Sequence, residues 1–390
     1  MNILFYRYNS ICEPAVLAAF RSMGLTVIEE NAEMKDKKIS PAQCVEIVSR
    51  DIAEYKPLFV FSINFYPAIA EVCHLFGTLY LCWTVDSPVP ELFSESIRHE
   101  TNRIFLFDSA QYEYFAKFNQ KNIYHLPLAS DTVHYDEVIN TITEADKKKY
   151  SHDISFIGSL YSEKNPYKTL TGLSDYTKGF VDALTEASLK IYGYNPVEDA
   201  LQDTLVKEIR SHAKDFFSLE KTVVSPDRYI VAHSYIGMQI AETERIRTLN
   251  TLANFFSVDL FTRSDTAPLK NVRVHDGAES LIEMPKIFHL SKINLNITIK
   301  PIQNGLPLRI FDILGCGGFL MTNYQAELPE YFEIGVDLEA YSSMEELVDK
   351  CSYYLEHEIE RKQIALNGYK KVKEYHTYFH RMKTMIETMG

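Results

Sequence analysis

The sequence predicts an α/β protein built from two doubly wound, Rossmann-like domains. Three observations carry this. Short apolar runs alternate with helix-patterned stretches from residue 2 to about 130, and the alternation restarts near 153. Several runs, such as LFVFSIN (58–64) and LYLCWTV (79–85), are apolar at almost every position, as in strands covered on both faces of a parallel sheet. Finally, 390 residues exceed one compact core, so two domains are the natural division.

In chain order, residues 2–7 read as a strand, 13–23 as a helix and 25–29 as a second strand. A helix near 41–55 precedes the strand 58–64. Then come a helix (67–76), strands at 79–85 and 103–108, a helix from Ser109 and a strand at 123–129. This series forms a first domain, 1–135. Residues 136–152 (DEVINTITEADKKKYSH) turn polar and charged and read as a linker. The second domain, 153–375, opens with DISFIGS (153–159). A largely helical insertion follows, about 167–255. Strands at 258–262 and 272–276, a helix around 281–290, the strand 293–299, a helix from Pro307 and the strand 318–322 then restore the alternation. Helices at 343–355 and 357–373 follow, and Thr377 is the expected N-cap of a separate last helix in 376–390.

Composition excludes several classes. With 46% hydrophobic and 24% charged residues the chain is globular. A net charge of −13 argues against nucleic acid, because neutralising phosphates requires a basic face. The apolar stretch 58–76 is broken by Asn64, Pro67, Glu71 and His74, so no transmembrane segment is expected. MNILFYRY reads as a strand from its start, so no signal peptide is expected. The six cysteines lack CxxC spacing and resemble reduced core thiols, which points to the cytoplasm.

The richest segment is INLNITIKPIQNGLPLRIFDILGCGGFLMT (293–322). Arg309 and Asp312 lie three apart, on one face near a helix start. A cation with the free N–H groups of that start can hold a diphosphate, and a carboxylate one turn on can accept from sugar hydroxyls. Gly315-Cys316-Gly317-Gly318 ends a helix and precedes a strand, the reverse of a dinucleotide fingerprint. It therefore reads as geometry: left-handed backbone and close chain approach. In such sheets ligands bind beyond the carboxyl ends of the strands. That rule directs attention to Asn64, to Asp86, and to the loops 158–164 and 300–305. Asp86 could orient or deprotonate an acceptor hydroxyl, a task for a positioned carboxylate, and Asn64 shares that placement. Against this stands a plain Asp-Ser-Pro turn. His125 and His233 read as core residues. His376 and His380, four apart, lack further ligands, so no metal is expected.

Asp312 with the ILGCGGFLMT that follows is similar to the Glu-Ala-x-x-x-Gly-x-Pro-Val-Val segment of GT-B glycosyltransferases of the group 1 type. Together with WTVDSP, DISFIGSLYSEKNPY and HTYFHR, the stretch Lys292–Leu328 resembles their CgeB/spore-maturation-like branch. The resemblance implies the GT-B fold, two Rossmann-like domains facing a cleft. It also implies metal-independent, retaining transfer of a sugar from a nucleotide diphosphate-sugar, UDP-sugar favoured. The acceptor would be a cell-surface, spore or protein glycan. Asp312 stands where the family places its ribose-binding Glu, and Asn304 stands at the preceding Glu position, beside Gly305 near the donor sugar. Lys164 and Arg309 would clamp the diphosphate with Lys300 in reserve, beside Gly158 and Ser159. Asp86 and Asn64 would face the acceptor. The alternatives are a non-catalytic sugar-nucleotide or glycan-binding module, and a nucleotide-sugar epimerase on the same architecture.

Overall fold

The computed structural model describes residues 1–389. The chain divides into two compact units, one comprising residues 1–128, 217–226 and 378–390, the other residues 129–216 and 227–377.

In the first unit, strands β1 (Asn2–Tyr6), β2 (Thr26–Glu30), β3 (Phe59–Ile63), β4 (Leu79–Trp83), β5 (Asn102–Leu106) and β6 (Ile123–His125) form one parallel sheet, ordered β2-β1-β3-β4-β5-β6. Every residue of β3 is buried, as its unbroken apolar run requires. Helix Pro41–Tyr55 starts on a capping box, Ser40 with Gln43, and helix Pro67–Phe76 starts on proline and stops at left-handed Gly77.

Two expected boundaries are corrected. The last helix, Tyr378–Glu387, begins where expected but is not separate. Tyr378 packs edge-on against Trp83, and Arg381 donates to the carbonyls of Pro127 and Leu128, so it belongs to the first unit. The segment 217–226, inside the expected insertion, also belongs there, because Val223 and Lys221 exchange backbone hydrogen bonds with Phe93 and Glu95.

In the second unit, β7 (Ile154–Ile157), β8 (Val258–Phe261), β9 (Arg273–His275), β10 (Ile293–Asn296), β11 (Leu320–Asn323) and β12 (Glu339–Tyr341) form another parallel sheet, ordered β12-β11-β10-β7-β8-β9. Its core is made by Phe156, Leu260, Leu295, Met321 and Tyr341 with Leu249 and Leu347 from flanking helices. The expected linker is helical instead, Thr132–Ile139 and Glu144–Tyr150. Thr143 and Asp146 cap each other's backbone, and Glu283 accepts from Lys149 and Tyr150, so the polar residues are a solvated helix face. The insertion is helical as expected. It ends in a long helix over 227–252 whose turn at 231–236 is widened, bringing Gly237 against Pro301. His233 is buried there, its Nε2 3.1 Å from Glu198. No helix among the described residues is long and apolar enough to cross a membrane, and all six cysteines are buried, none of them in a disulfide.

Candidate functional site

The second sheet reverses its winding between β10 and β7, the place where open α/β sheets bind ligands. Just beyond those strand ends lies Arg245, on helix Gly237–Leu252. One guanidinium nitrogen donates to Ser159 O (2.6 Å) and another to Ile297 O (2.8 Å), so a single side chain ties the two strand ends together. The guanidinium carbon lies 4.6 Å from the Tyr161 ring centre and 5.2 Å from that of Phe156. Its Nε is buried without a hydrogen-bond partner. Burial lowers the Arg245 pKa, and the Arg309 charge acts in the same direction, against Tyr161 and Glu244. The like charges of Arg245 and Arg309 thus oppose each other. Behind them Glu244 is buried. Burial raises its pKa, while Lys300 and Arg245 oppose that shift.

Arg309 stands in the first turn of helix Leu308–Gly315. It is half-buried, lies 5.1 Å from the Phe288 ring centre and pairs with Asp312 at 3.2 Å. Asp312 is buried and also accepts from the Tyr135 hydroxyl at 2.7 Å. Burial raises its pKa, and Arg309 and Tyr135 pull it back. Both carboxylate oxygens are therefore engaged within the second unit, and Asp312 positions Arg309. The turn after it is geometric as read from sequence. The helix ends at Gly315, and Gly317 has φ +68°.

The other expected donor residues sit as follows. Gly158 N donates to Phe261 O, extending the β7–β8 ladder. The Ser159 hydroxyl donates to Glu163 at 2.5 Å and accepts from Tyr161 N at 2.7 Å. Lys164 is exposed, 5.7 Å from the Tyr161 ring centre, with no carboxylate partner among the described residues. Lys300 is buried, its ammonium donating to Ile191 O at 2.5 Å beside the Tyr192 ring, and burial lowers its pKa. That ammonium is turned inward, so Lys300 works as a structural cation opposite Glu244. Asn304 is half-buried, its carbonyl accepting from Glu327 N, and Gly305 is buried.

Next to this neighbourhood is a cavity of about 800 Å³ lined by Phe261, Thr262, Arg263, Ser264, His275 and Asp276, among others. Ser264 Oγ accepts from Leu160 N, so the cavity adjoins the loop after β7. The His275 ring stacks on Phe261, 4.5 Å between centres and 14° between planes. Nearby, Asp259 accepts from both His275 (2.7 Å) and Arg273 (3.1 and 2.6 Å), with His152 Nδ1 3.2 Å away. Potential metal-ligand atoms of His152, Asp259 and His275 lie within 4.8 Å of one another. Arg273 holds both oxygens of Asp259, and a divalent cation there would face that guanidinium. The cluster is thus a charge network. Burial works to raise the Asp259 pKa, but His152, Arg273 and His275 outweigh it and hold the carboxyl well below its usual value.

In the first unit, Asn64 ends β3 in the left-handed conformation, φ +61°. Its Oδ1 accepts from Val85 N (3.0 Å) and Asp86 N (3.4 Å). Its Nδ2 donates to Asp86 (2.7 Å) and the Tyr8 hydroxyl (3.1 Å). Asn64 is therefore the bracket that fixes the exposed Asp86 carboxylate beyond β4, and the two expected residues come together.

Sequence reasoning missed Arg245, Tyr135 and Tyr8. Arg245 lies in a helix with no chemical motif, and only its place beside a second buried charge, Glu244, could have marked it. Tyr8 and Tyr135 are joined to their partners by the fold alone.

Comparison with known proteins agrees with this fold. Residues 248–387 match the family model described as glycosyl transferase-like. A glycosyltransferase from Rickettsia africae superposes with TM-score 0.54 at 11% identity, covering 100% of this chain and 98% of that one. Anabaena HepE in complex with UDP gives 0.53 at 11%, covering 100% and 99%. Sucrose-phosphate synthase from Thermosynechococcus elongatus gives 0.54 at 9%, also covering 100% and 99%. No curated protein sequence matches the chain. The fold is that of the two-domain GT-B glycosyltransferases. Within it, the chain is glycosyltransferase-like over the segment that carries Arg309 and Asp312.

Proposed function

We propose that the protein is a glycosyltransferase that takes a sugar from a nucleotide diphosphate-sugar, UDP-sugar favoured, and delivers it to a glycan or glycoprotein hydroxyl. The observation that carries this reading is Arg245 bridging Ser159 O and Ile297 O at the winding reversal of the second sheet, with Arg309 in the first turn of helix Leu308–Gly315, which follows β10. Two guanidinium groups and the free N–H groups of that helix start supply the positive field that a leaving diphosphate requires. Charge compensation by side chains supports metal-independent transfer. HepE in complex with UDP supports the choice of base. Lys164, exposed and without a carboxylate partner among the described residues, adds a cation in the loop after β7, and Asn304-Gly305 are suited to the donor sugar.

The first unit would hold the acceptor, with Asp86 orienting its hydroxyl and Asn64 holding Asp86 in place. The group 1 resemblance favours retention of configuration, a cytoplasmic site of action and a cell-surface or spore acceptor. The test is melting with and without 1 mM UDP, with release of UDP from UDP-sugars measured in parallel. UDP should raise the melting temperature of the wild type and much less that of Arg309→Ala. A full UDP-induced rise in Arg309→Ala would overturn the assignment.

A further inference from the structure

Five residues other than glycine have a positive φ among the described residues: Asn9, Lys56, Asn64, Tyr161 and Asn271. Three are asparagines, whose short polar side chain tolerates left-handed backbone. Lys56 stands just past the end of helix Pro41–Tyr55, where that conformation is common. Tyr161 has neither reason. It is a bulky aromatic residue at φ +68°, ψ 3°, in the loop that leaves β7 at the winding reversal. Strain of this kind persists only where the surroundings over-determine it, and it gathers at functional sites.

The surroundings of Tyr161 do over-determine it. Its N–H donates to Ser159 Oγ at 2.7 Å, and its carbonyl accepts from Lys164 N at 3.0 Å, so the backbone is tied on both sides. The second observation is where the ring goes. The Arg245 guanidinium carbon lies 4.6 Å from the ring centre and the Lys164 ammonium 5.7 Å, both within the range over which an aromatic face attracts a cation. One of these cations has its Nε shut off from solvent, and the other is exposed. Both contacts belong to the ring, not to the hydroxyl. The choice of an aromatic group has a physical consequence. A carboxylate in this place would hold the same two cations and cancel their field, whereas a ring holds them and leaves the positive charge available to an anion.

We propose that Tyr161 is a positioning residue for a diphosphate. Its ring holds Arg245 and Lys164 beside the strand ends with their charge uncancelled, and its left-handed backbone is what brings the ring there. The diphosphate rests on the transferase reading above, whereas the hold on the two cations does not.

The experiment is calorimetric titration of the full chain with UDP and with inorganic pyrophosphate, beside a melting curve for each protein. Tyr161→Asn and Tyr161→Gly both accept the left-handed backbone and remove the ring. Each should bind both probes about fivefold more weakly, the equivalent of one cation–ring contact. Each should also melt close to wild type, because relief of strain offsets the lost contacts. Tyr161→Phe keeps the ring and should restore wild-type affinity. Asn271→Gly, at a left-handed residue in the turn before β9, should bind like wild type, which excludes a general effect of relaxing the backbone. A ring that merely packs would lower the melting temperature when removed and leave both affinities unchanged. That result overturns the proposal, as does a loss confined to one of the two ring-free variants, or a Tyr161→Phe protein as weak as they are. Pyrophosphate separates the two ideas. A wild type that binds pyrophosphate but not UDP defeats the nucleotide-sugar reading, and the pyrophosphate series then decides the role of Tyr161 alone. A wild type that binds neither overturns both.

Discussion

Replacing Arg245 with lysine keeps the charge and removes the fork. Arginine spans Ser159 O and Ile297 O with two nitrogens at 2.6 and 2.8 Å, and a lysine ammonium reaches one of them. The change forfeits one charge-assisted hydrogen bond, about 1.5–3 kcal/mol, and weakens the contacts with Tyr161 and Phe156, each of order 0.5–1 kcal/mol. A net loss of about 2 kcal/mol lowers the melting temperature of a unit this size by roughly 4–8 °C. Donor affinity should fall by about tenfold, close to the equivalent of one such bond, because a lysine ammonium held by one carbonyl is no longer fixed at the strand ends. Scanning calorimetry gives the first number and UDP titration the second. Arg245→Met sharpens the comparison, because removing the charge should abolish UDP binding at a similar melting temperature. An Arg245→Lys protein that melts within a degree of wild type and binds UDP equally well would refute both the tie and the anion site.

Asn64→Gly and Asn64→Ala should both lose the bracket around Asp86 and most transfer activity. Alanine should cost about 1 kcal/mol more in urea melts, since only the glycine accepts φ +61° without strain. For Asp259, folding holds the carboxyl below its unfolded pKa. Its stabilisation is thus present above about pH 4 and is lost as pH falls below that value toward the folded one. The wild type should therefore lose stability between pH 5 and 2 more steeply than Asp259→Asn. That variant should be about 3–5 kcal/mol less stable at pH 7, with its histidine and arginine partners left behind. A Cβ at Gly368 would stand 2.3 Å from Asp337 O and 2.7 Å from Leu314, so Gly368→Ala should destabilise by about 2 kcal/mol or more in a denaturant melt.

The two sheets were legible because their strands are short apolar runs between punctuated helices, and periodicity reports that directly. Strand β12, only three residues long, was missed because EAY carries no run to detect. The polar residues of 136–152 misled because a helix exposed on most sides has the composition of a linker. Only the Thr143–Asp146 capping box distinguishes it, and Thr-x-x-Asp resembles many turns. The same limit applies to the site. Arg309 and Asp312 were readable because their spacing on one helix is local. Their roles were not, because Tyr135 is separated from Asp312 by more than a hundred residues and the burial of Asp312 depends on tertiary packing. Arg245 makes the point most directly. On its helix it is one charged residue among several, in a stretch (ETERIR) that suggests a solvated face. It becomes a site residue only because the strand order places the ends of β7 and β10 side by side, leaving two carbonyls within reach of one guanidinium. Motifs reveal the groups that chemistry needs close together in sequence. Topology supplies those it needs close together in space, and in this fold the second kind includes the residue that ties the winding reversal together.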